Sequence, residues 1–266
     1  MAVFEELIRD KWAGRAQAYA ETFAGQCAHT VEPVLDALGV VPGDLLLDVG
    51  TGAGAIAVAA LARGCAVVAV DPEPDMLALA STRAPGATML HGALPDLDLE
   101  QRFDAIAANF VLNQVSDPPA SVRCLAGLLR PGGRVAAAVW PADVGPLQSL
   151  WTEVVDAASA VRPPSPELPS DKDFARTPDG LSRLFAQAGL TVELAWTHEF
   201  VHAVDPEVWW SGPARGVSSM GQLFAAQTPE VLGAMREAYD RLNRRYLGSD
   251  GLLHLPGRAV VAVAIR

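Results

Sequence analysis

An α/β fold built on a mostly parallel sheet is what this 266-residue sequence predicts. Three observations lead to that prediction. Short apolar runs alternate with helical segments from residue 44 to residue 140, a glycine-rich turn follows the first run, and half of all residues are hydrophobic. Continuous apolar strands in repeated strand–helix units are typical of a parallel sheet covered by helices on both faces. One large domain, or one domain with an added cover, accommodates this length.

The strand–helix units follow one another in a regular order. The predicted strands are the apolar runs at residues 45–49, 66–70, 88–91, 103–109 and 134–140. The predicted helices lie between them, at residues 55–63, 74–84 and 118–129. Gly64 ends the first of these helices, Pro74 begins the second, and Asp117 is a suitable cap for the third.

Two further segments flank this core. Residues 1–43 are predicted to be helical, because apolar side chains recur at helical spacing just before Gly39. Beyond residue 140 we expect a proline-rich loop at 163–171, a helix at 177–189, a strand at 191–202, mainly helices at 205–247 and a last strand at 255–265. The predicted division is an N-terminal helical lid (1–43), a ligand-binding core (44–140) and a segment of covering helices with two edge strands (141–266).

The charge balance argues against several classes of partner. The chain has 20 basic and 31 acidic residues, a formal net charge of −11 and a pI near 4.8. A protein this acidic has no electrostatic means of gripping nucleic acid and is disfavoured at anionic membrane surfaces. Three widely spaced cysteines without a CxxC pair fit a reducing cytoplasm. We therefore expect a cytoplasmic protein with a small-molecule partner, no nucleic acid and no membrane, and leave a homodimer open.

The turn after the first predicted strand carries the clearest chemical signal. Residues 45–54 read LLLDVGTGAG, with glycines at positions 50, 52 and 54. Such glycines let backbone N–H groups approach a ligand closely beside the start of a helix. Asp71, at the end of the second strand, can accept hydrogen bonds from both hydroxyls of a ribose. A nucleoside-containing ligand is therefore the interpretation that this pattern favours, against a tight turn with no ligand.

Two kinds of nucleotide cofactor fit this turn. Gly50, Gly52 and Ala55 match the G-x-G-x-x-G/A pattern of dinucleotide sites, which keeps an NAD-dependent oxidoreductase open. Against NAD, the glycines run G-x-G-x-G, and Asp48 lies inside the strand end, where a carboxylate can take up an ammonium group.

Three segments together strongly resemble class I S-adenosylmethionine-dependent methyltransferases. They are LLLDVGTGAGAIAV (45–58), VVAVDPEPDML (67–77) and FDAIAANFVLNQVSDPPASVRCLAGLLRPGGRV (103–135). The resemblance covers residues 40–140 and looks closest to the group of ubiquinone and menaquinone biosynthetic enzymes and natural-product tailoring enzymes. It implies a Rossmann-like fold, a seven-stranded sheet whose last strand is antiparallel, S-adenosylmethionine as cofactor, and methylation of a small quinone- or phenol-like acceptor. Besides the NAD-dependent oxidoreductase, a second alternative is a relative of these enzymes that binds the cofactor but does not transfer a methyl group.

The resemblance also implies roles for individual residues. It assigns cofactor contacts to Asp48, Gly50, Thr51, Gly52, Gly54, Asp71, Pro72, Met76, Gly92, Ala93, Leu94 and Asn109. Within this set, Asp48 and Gly50 face the methionine end, Asp71 binds the ribose, and Pro72 and Met76 pack against the adenine. Asn109 lies beside the cofactor near the sulfur.

This sequence departs from the family pattern at two places. Relatives often have a Gly-Asp pair where this chain has Gly92-Ala93, so the adenine contact would come from the backbone near Ala93 and Leu94 or from Asp96. Relatives often carry two histidines where this chain has Asn113 and Gln114, which leaves the catalytic base open.

Tyr19, His29 and Asn113 are the candidate catalytic residues. Methyl transfer depends mainly on positioning the acceptor and on excluding water, and a base helps an oxygen or nitrogen acceptor. Tyr19 lies at helical spacing from Trp12 and Phe23, which predicts one apolar face over the ligand or plain core packing. His29 precedes the helix that leads into the first strand and could reach the methyl-transfer position.

One pattern suggests a different chemistry. Residues 198–202 read HEFVH, which matches the H-E-x-x-H pattern of zinc proteases. That pattern needs a helix to bring both imidazoles to one zinc ion. Apolar and polar residues alternate around it, which indicates a strand, so we predict no metal site.

Overall fold

The computed structural model describes residues 2–164 and 167–266 of the chain. Within them the strands are β1 (Leu45–Val49), β2 (Ala66–Asp71), β3 (Thr88–His91), β4 (Phe103–Asn109), β5 (Leu129–Val139), β6 (Thr191–Val204) and β7 (Leu253–Ile265). The helices before β5 are α1 (Ala2–Trp12), α2 (Ala16–Glu21), α3 (Ala24–Ala28), α4 (Val31–Leu38), α5 (Ala55–Ala62), α6 (Pro74–Arg83) and α7 (Pro118–Leu128). Those after β5 are α8 (Pro146–Ala157), α9 (Pro178–Gln187), α10 (Pro206–Ala214), α11 (Ser218–Ala225) and α12 (Pro229–Leu242).

The strands form one seven-stranded sheet in the order β3-β2-β1-β4-β5-β7-β6. Strands β1 to β5 pair in parallel, and β7 runs antiparallel to both of its neighbours. This confirms the predicted Rossmann-like architecture and its antiparallel last strand. The chain goes from β1 to β2 on one side and later to β4 on the other. Open α/β sheets bind ligands at such a change of direction, beyond the carboxyl ends of the strands.

Several predicted details are wrong. Strand β7 is not an edge strand, because β6 pairs along its far side. Strand β5 begins at Leu129 instead of Arg134, since a shift in register against β4 accommodates Pro131, Gly132 and Gly133 within the strand. Helix α8 was not predicted at all.

The helix boundaries follow local sequence chemistry. The carboxylate of Asp117 accepts the N–H of Ala120 at 2.8 Å and caps α7, as predicted. Gly39, with φ of 63°, ends α4 in the left-handed conformation. Of the predicted loop 163–171, Ser165 and Pro166 lie outside the described residues, as does Met1 of the predicted lid.

Apolar layers cover both faces of the sheet. Leu125 of α7 and Leu181 and Phe185 of α9 are fully buried against one face. Leu35 of α4 and Ile56 of α5 pack against the other. The strands are therefore a buried middle layer, and the polar residues at their ends are held in fixed positions.

A third apolar cluster joins the covering helices to the N-terminal segment. In it, Trp151 of α8 stacks on Tyr239 of α12 with ring centroids 5.4 Å apart. Phe23 packs on Trp209 of α10 at 4.8 Å. The N-terminal residues and the cover thus meet above the carboxyl ends of the strands. No helix in the described ranges is long and apolar enough to cross a lipid bilayer.

Candidate active site

A large cavity of about 1200 Å³ lies beyond the carboxyl ends of the central strands. Its volume is above the ~1,000 Å³ at the upper end of ordinary single-ligand pockets. Apolar groups from the N-terminal segment and the cover close it on the side away from the sheet. Those groups include Trp12, Tyr19, Phe23, Leu147, Trp151 and Trp209. The cavity therefore has room for a cofactor and an acceptor side by side.

The glycine turn after β1 forms one wall of this cavity. Gly50 and Gly52 line it and have φ values of 63° and 53°, which favour glycine. A Cβ at Gly50 would lie 2.5 Å from Cγ2 of Val111, so the wall leaves no space for a side chain there. The N–H of Thr51 donates to the carbonyl of Val70 at 3.0 Å and ties the turn to β2.

Asp71 lies at the end of β2, on the same wall. It is only 6% exposed, and its two oxygens each accept a backbone N–H at 2.9 Å, from Gly52 and from Glu73. Burial raises the pKa of this carboxyl, and the two hydrogen bonds partly oppose that shift. A carboxylate offers about four acceptor sites, so capacity remains for hydroxyl groups of a ligand in the cavity.

The predicted adenine contacts lie beside Asp71. Pro72, Met76, Gly92, Ala93 and Leu94 all line the cavity. Met76 is 3% exposed, so its thioether is a fixed part of the wall. These residues form an apolar surface next to a hydrogen-bonding carboxylate, which is the combination that a base attached to a ribose requires.

Asp48 and Thr51 lie behind the glycine turn. With Arg83 they line a smaller pocket of about 250 Å³, which shares Gly52 and Asn109 with the large cavity. Oδ2 of Asp48 accepts the hydroxyl of Thr51 at 2.7 Å. Burial raises the pKa of Asp48 to about 7, so a cationic ligand group there would favour its charged form.

Gly54 differs in its surroundings from the other two glycines of the turn. It has φ of 85° and lines neither pocket. A Cβ at this position would lie 3.2 Å from Cα of Ala80. The glycine therefore permits the start of α5 to pack against α6, and its predicted ligand contact stays a prediction.

Asn109 lines both pockets, but its side-chain amide is engaged within the protein. Oδ1 accepts the hydroxyl of Thr30 at 2.7 Å, and Nδ2 donates to the carbonyl of Cys27 at 3.2 Å. These bonds tie the end of β4 to the N-terminal helices. Asn109 thus fixes the segment that closes the cavity.

Tyr19 lines the cavity, but not as part of one long helical face. Trp12 ends α1 and Ala16 begins α2, so the predicted continuous helix is wrong, although the rings of Trp12 and Tyr19 meet edge to face at 5.5 Å. The Tyr19 hydroxyl lies near the thiol of Cys27, and burial raises the pKa of the phenol well above its usual value. It therefore stays protonated near neutral pH.

The expectation that His29 reaches the methyl-transfer position stays a prediction, and the contacts of its ring do not favour it. His29 does not line the cavity. Its ring stacks on Phe200 with centroids 4.6 Å apart, and its Nε2 lies 3.3 Å from Nδ1 of His202. The histidine joins the N-terminal segment to β6.

Asn113 does not line the cavity either, and Gln114 does. Oε1 of Gln114 is buried and has no hydrogen-bond partner among the described residues. Four residues before Gln114, Phe110 adopts φ of 59° and stacks on Trp140 at 4.1 Å, and both residues line the cavity. An aromatic surface and an unpaired amide oxygen thus lie at the ends of β4 and β5.

The HEFVH segment is a strand, as predicted. It belongs to β6 (Thr191–Val204), where successive side chains point to opposite faces. A strand does not bring His198 and His202 together as one turn of a helix would, which is what the zinc pattern requires.

Sequence reasoning missed many of the lining residues, including four with charged or large apolar side chains. These four are Lys11, Glu73, Leu147 and Trp151. For the last two a signal existed, since Pro146 precedes apolar residues at helical spacing through Val155. Lys11 and Glu73 gave none, because a charged residue on a predicted helix or loop is ordinarily solvated.

The sequence is similar to known methyltransferases. A family profile described as "Methyltransferase domain" matches residues 47–137. A ubiquinone biosynthesis O-methyltransferase of Xylella fastidiosa is 34% identical over 183 residues, which are 62% of this chain and 70% of that protein. A demethylmenaquinone methyltransferase of Renibacterium salmoninarum is 32% identical over 133 residues. That match covers 48% of this chain and 55% of the relative, so the chain spans about half the length of that protein.

Solved structures share the fold at lower identity. A Bacillus halodurans protein proposed to be a methyltransferase has a TM-score of 0.56 and 16% identity, covering 88% of this chain and 97% of its own. A phosphoethanolamine N-methyltransferase of Haemonchus contortus has a TM-score of 0.52 and 18% identity, covering 89% of this chain and 52% of its own. These two relatives and two solved structures are all described as methyltransferases, and none of them is described as an oxidoreductase.

Proposed function

This chain belongs to the class I S-adenosylmethionine-dependent methyltransferases, and from that premise we propose that it methylates a small acceptor with a quinone- or phenol-like ring. The observation that carries the proposal is the large cavity. One of its walls holds the glycine turn and Asp71, and its far side is lined by aromatic rings. The names of the ubiquinone and menaquinone relatives support the same class of acceptor.

The residues present fit the cofactor. Asp71 is a buried carboxylate with acceptor sites left over for ribose hydroxyls. Met76 and Pro72 offer an apolar surface for the base, and Asp48 offers a carboxylate for the amino group. When bound, S-adenosylmethionine supplies a methyl group on a sulfonium, which is an excellent leaving group.

The chain itself contributes positioning and the exclusion of water. Phe110 and Trp140 form a stacked pair on which a planar acceptor can lie. Trp151 and Leu147 of α8 also line the cavity. Holding an acceptor in line contributes up to ~7–11 kcal/mol in well-oriented reactions, so this aromatic enclosure is the main catalytic device.

Gln114 is the residue that we propose to orient the acceptor. Its buried amide oxygen lacks a partner within the described protein, and leaving such an acceptor unpaired costs ~1–3 kcal/mol. A hydroxyl or amine on the acceptor can donate to it. Tyr19, kept protonated by burial, is proposed to pack against the bound molecules instead of acting as a base.

The lid and the cover complete this proposal. Residues 1–43 and 141–250 enclose the acceptor between them, and the N-terminal segment is anchored through Asn109. A cytoplasmic location remains part of the proposal, supported by three unpaired cysteines at positions 27, 65 and 124.

A methyl-transfer screen tests the function. The protein is incubated with radiolabelled S-adenosylmethionine and a set of phenols, hydroquinones and amines, and labelled product is counted. We expect transfer to at least one phenol or hydroquinone, and at least a tenfold loss with Gln114→Leu. Binding of the cofactor without transfer to any compound would instead support a relative that does not methylate.

A further inference from the structure

Lys11 is a cation in an unusual place. The chain has only two lysines, and Lys11, near the end of α1, is half-buried and lines the large cavity. Burial lowers the pKa of its ammonium group. Lysine side chains are ordinarily solvated, so the position of Lys11 calls for a physical reason.

The ammonium of Lys11 has no counter-ion among the side chains that the structure describes. No described side chain forms a hydrogen bond or an ion pair with it, and no charged neighbour contributes to its pKa shift. Two other cations of the chain differ in this respect. Arg9 interacts electrostatically with Glu73, and the second lysine of the chain, Lys172, lies 2.9 Å from Asp117. Burying a cation without a partner is costly unless a ligand supplies one.

Contacts between helices place Lys11 beside α11, one of the covering helices that line the cavity. Helix α1 packs against α11, where Nε2 of Gln222 donates to the carbonyl of Leu7 at 3.2 Å. One turn beyond Leu7 is Lys11, and one turn before Gln222 is Ser218, and both line the same cavity. Asp48, the residue suited to the amino-acid end of the cofactor, lines the adjoining pocket behind the glycine turn.

We infer that Lys11 binds an acidic group of the methyl acceptor, either a carboxylate or a phenolate. The inference rests on the proposed function and narrows it, because it selects acceptors that carry an anion as well as an aromatic ring. Ammonium and carboxylate form a charge-assisted hydrogen bond, which is about twice as strong as a neutral one. The carboxylate of the cofactor has the same chemistry, and the experiment separates the two sources.

The test measures binding by calorimetry with S-adenosylhomocysteine present. Matched pairs of aromatic compounds are used, such as 4-hydroxybenzoate with 4-hydroxybenzamide, and larger fused-ring acids with their amides. We expect the wild-type protein to bind acids at least ~10-fold more tightly than amides. Lys11→Met removes that preference, Lys11→Arg keeps most of it, and the matched control Lys172→Met leaves it intact.

Three results would overturn the inference. The first is that the wild-type protein binds no acid more tightly than its amide, or binds none of the acids at all. The second is a preference that survives in Lys11→Met. The third is weaker binding of S-adenosylhomocysteine itself by Lys11→Met, which would assign the lysine to the cofactor. If S-adenosylhomocysteine does not bind to the wild-type protein at all, the proposed function fails and not merely the role of Lys11.

Discussion

The backbone N–H of Gly52 donates to Oδ2 of Asp71 at 2.9 Å, across 19 positions of sequence. The hydrogen bond joins the turn after β1 to the end of β2. It therefore fixes the two elements that the cofactor must touch relative to each other. A change in the carboxylate is expected to disturb the turn as well as the ribose contact.

Asp71→Ala is expected to weaken the binding of S-adenosylhomocysteine by ~1–3 kcal/mol, because charge-assisted hydrogen bonds to the ribose are lost. Asp71→Asn retains one acceptor oxygen and is expected to lose less. Titration calorimetry measures both, with circular dichroism as a check on folding. An unchanged affinity in Asp71→Ala would refute the ribose assignment.

Gly50→Ala is expected to lower the free energy of unfolding more than the same substitution at Gly39 does. Gly50 and Gly39 both have φ of 63°, but a Cβ meets Val111 at 2.5 Å only in the first case and meets open space in the second. Gly39→Ala should cost the left-handed strain of ~1–2 kcal/mol. Gly50→Ala adds the steric clash to that strain and distorts the cofactor wall.

Val111→Ala provides the control for this comparison. In the double variant with Gly50→Ala the clash is relieved, so part of the lost stability and cofactor affinity should return. Urea unfolding and calorimetry measure the two quantities. Equal costs for Gly39→Ala and Gly50→Ala, with no rescue, would contradict the packing described for the turn.

The raised pKa of Asp48 predicts that the stability of the ligand-free protein depends on pH. Its pKa of about 7 in the folded protein is above the ordinary value of 3.8, so folding favours its protonated form. Relative to Asp48→Asn, the wild-type protein should lose stability as pH rises from about 4 to about 7 and then level off, by at most ~4 kcal/mol. Urea unfolding at several pH values measures this difference, and a flat difference would show that Asp48 is not desolvated.

The lowered pKa of His202 predicts a change of stability in the opposite direction over nearly the same pH range. It is 6% exposed, and burial lowers its pKa to about 4 from 6.5, with a smaller contribution from His29. Folding therefore favours its neutral form. Relative to His202→Gln, the wild-type protein should lose stability as pH falls from 6.5 to about 4, by at most ~3 kcal/mol. The same unfolding series checks it, and a difference that does not change with pH would be contrary evidence.

Much of the sheet and the cofactor wall could be predicted from the sequence. Apolar runs, glycines and acids at strand ends are local signals, and parallel strands bring their carboxyl ends together, so Gly50, Gly52 and Asp71 meet as expected. Gly54 had the same local signal, but its environment is set by Ala80 of a different helix. The periodicity of apolar residues does not predict a contact between two helices such as this one.

The acceptor side was less predictable because distant segments build it. Asn113 and Gln114 are adjacent, and only the turn after Phe110 decides which of them faces the cavity. His29 is near β1 in sequence, yet its ring is held by Phe200 and His202 of β6. Side-chain direction in a loop depends on tertiary contacts, for which a single sequence gives no pattern.

Ligand binding to the wild-type protein tests the central claim most directly. Thermal unfolding is followed with S-adenosylhomocysteine, with NAD and without ligand, at equal ligand concentrations. The account predicts a higher midpoint with S-adenosylhomocysteine, by several degrees once the ligand is well above its Kd, and no change with NAD. Stabilisation by NAD and none by S-adenosylhomocysteine would contradict it.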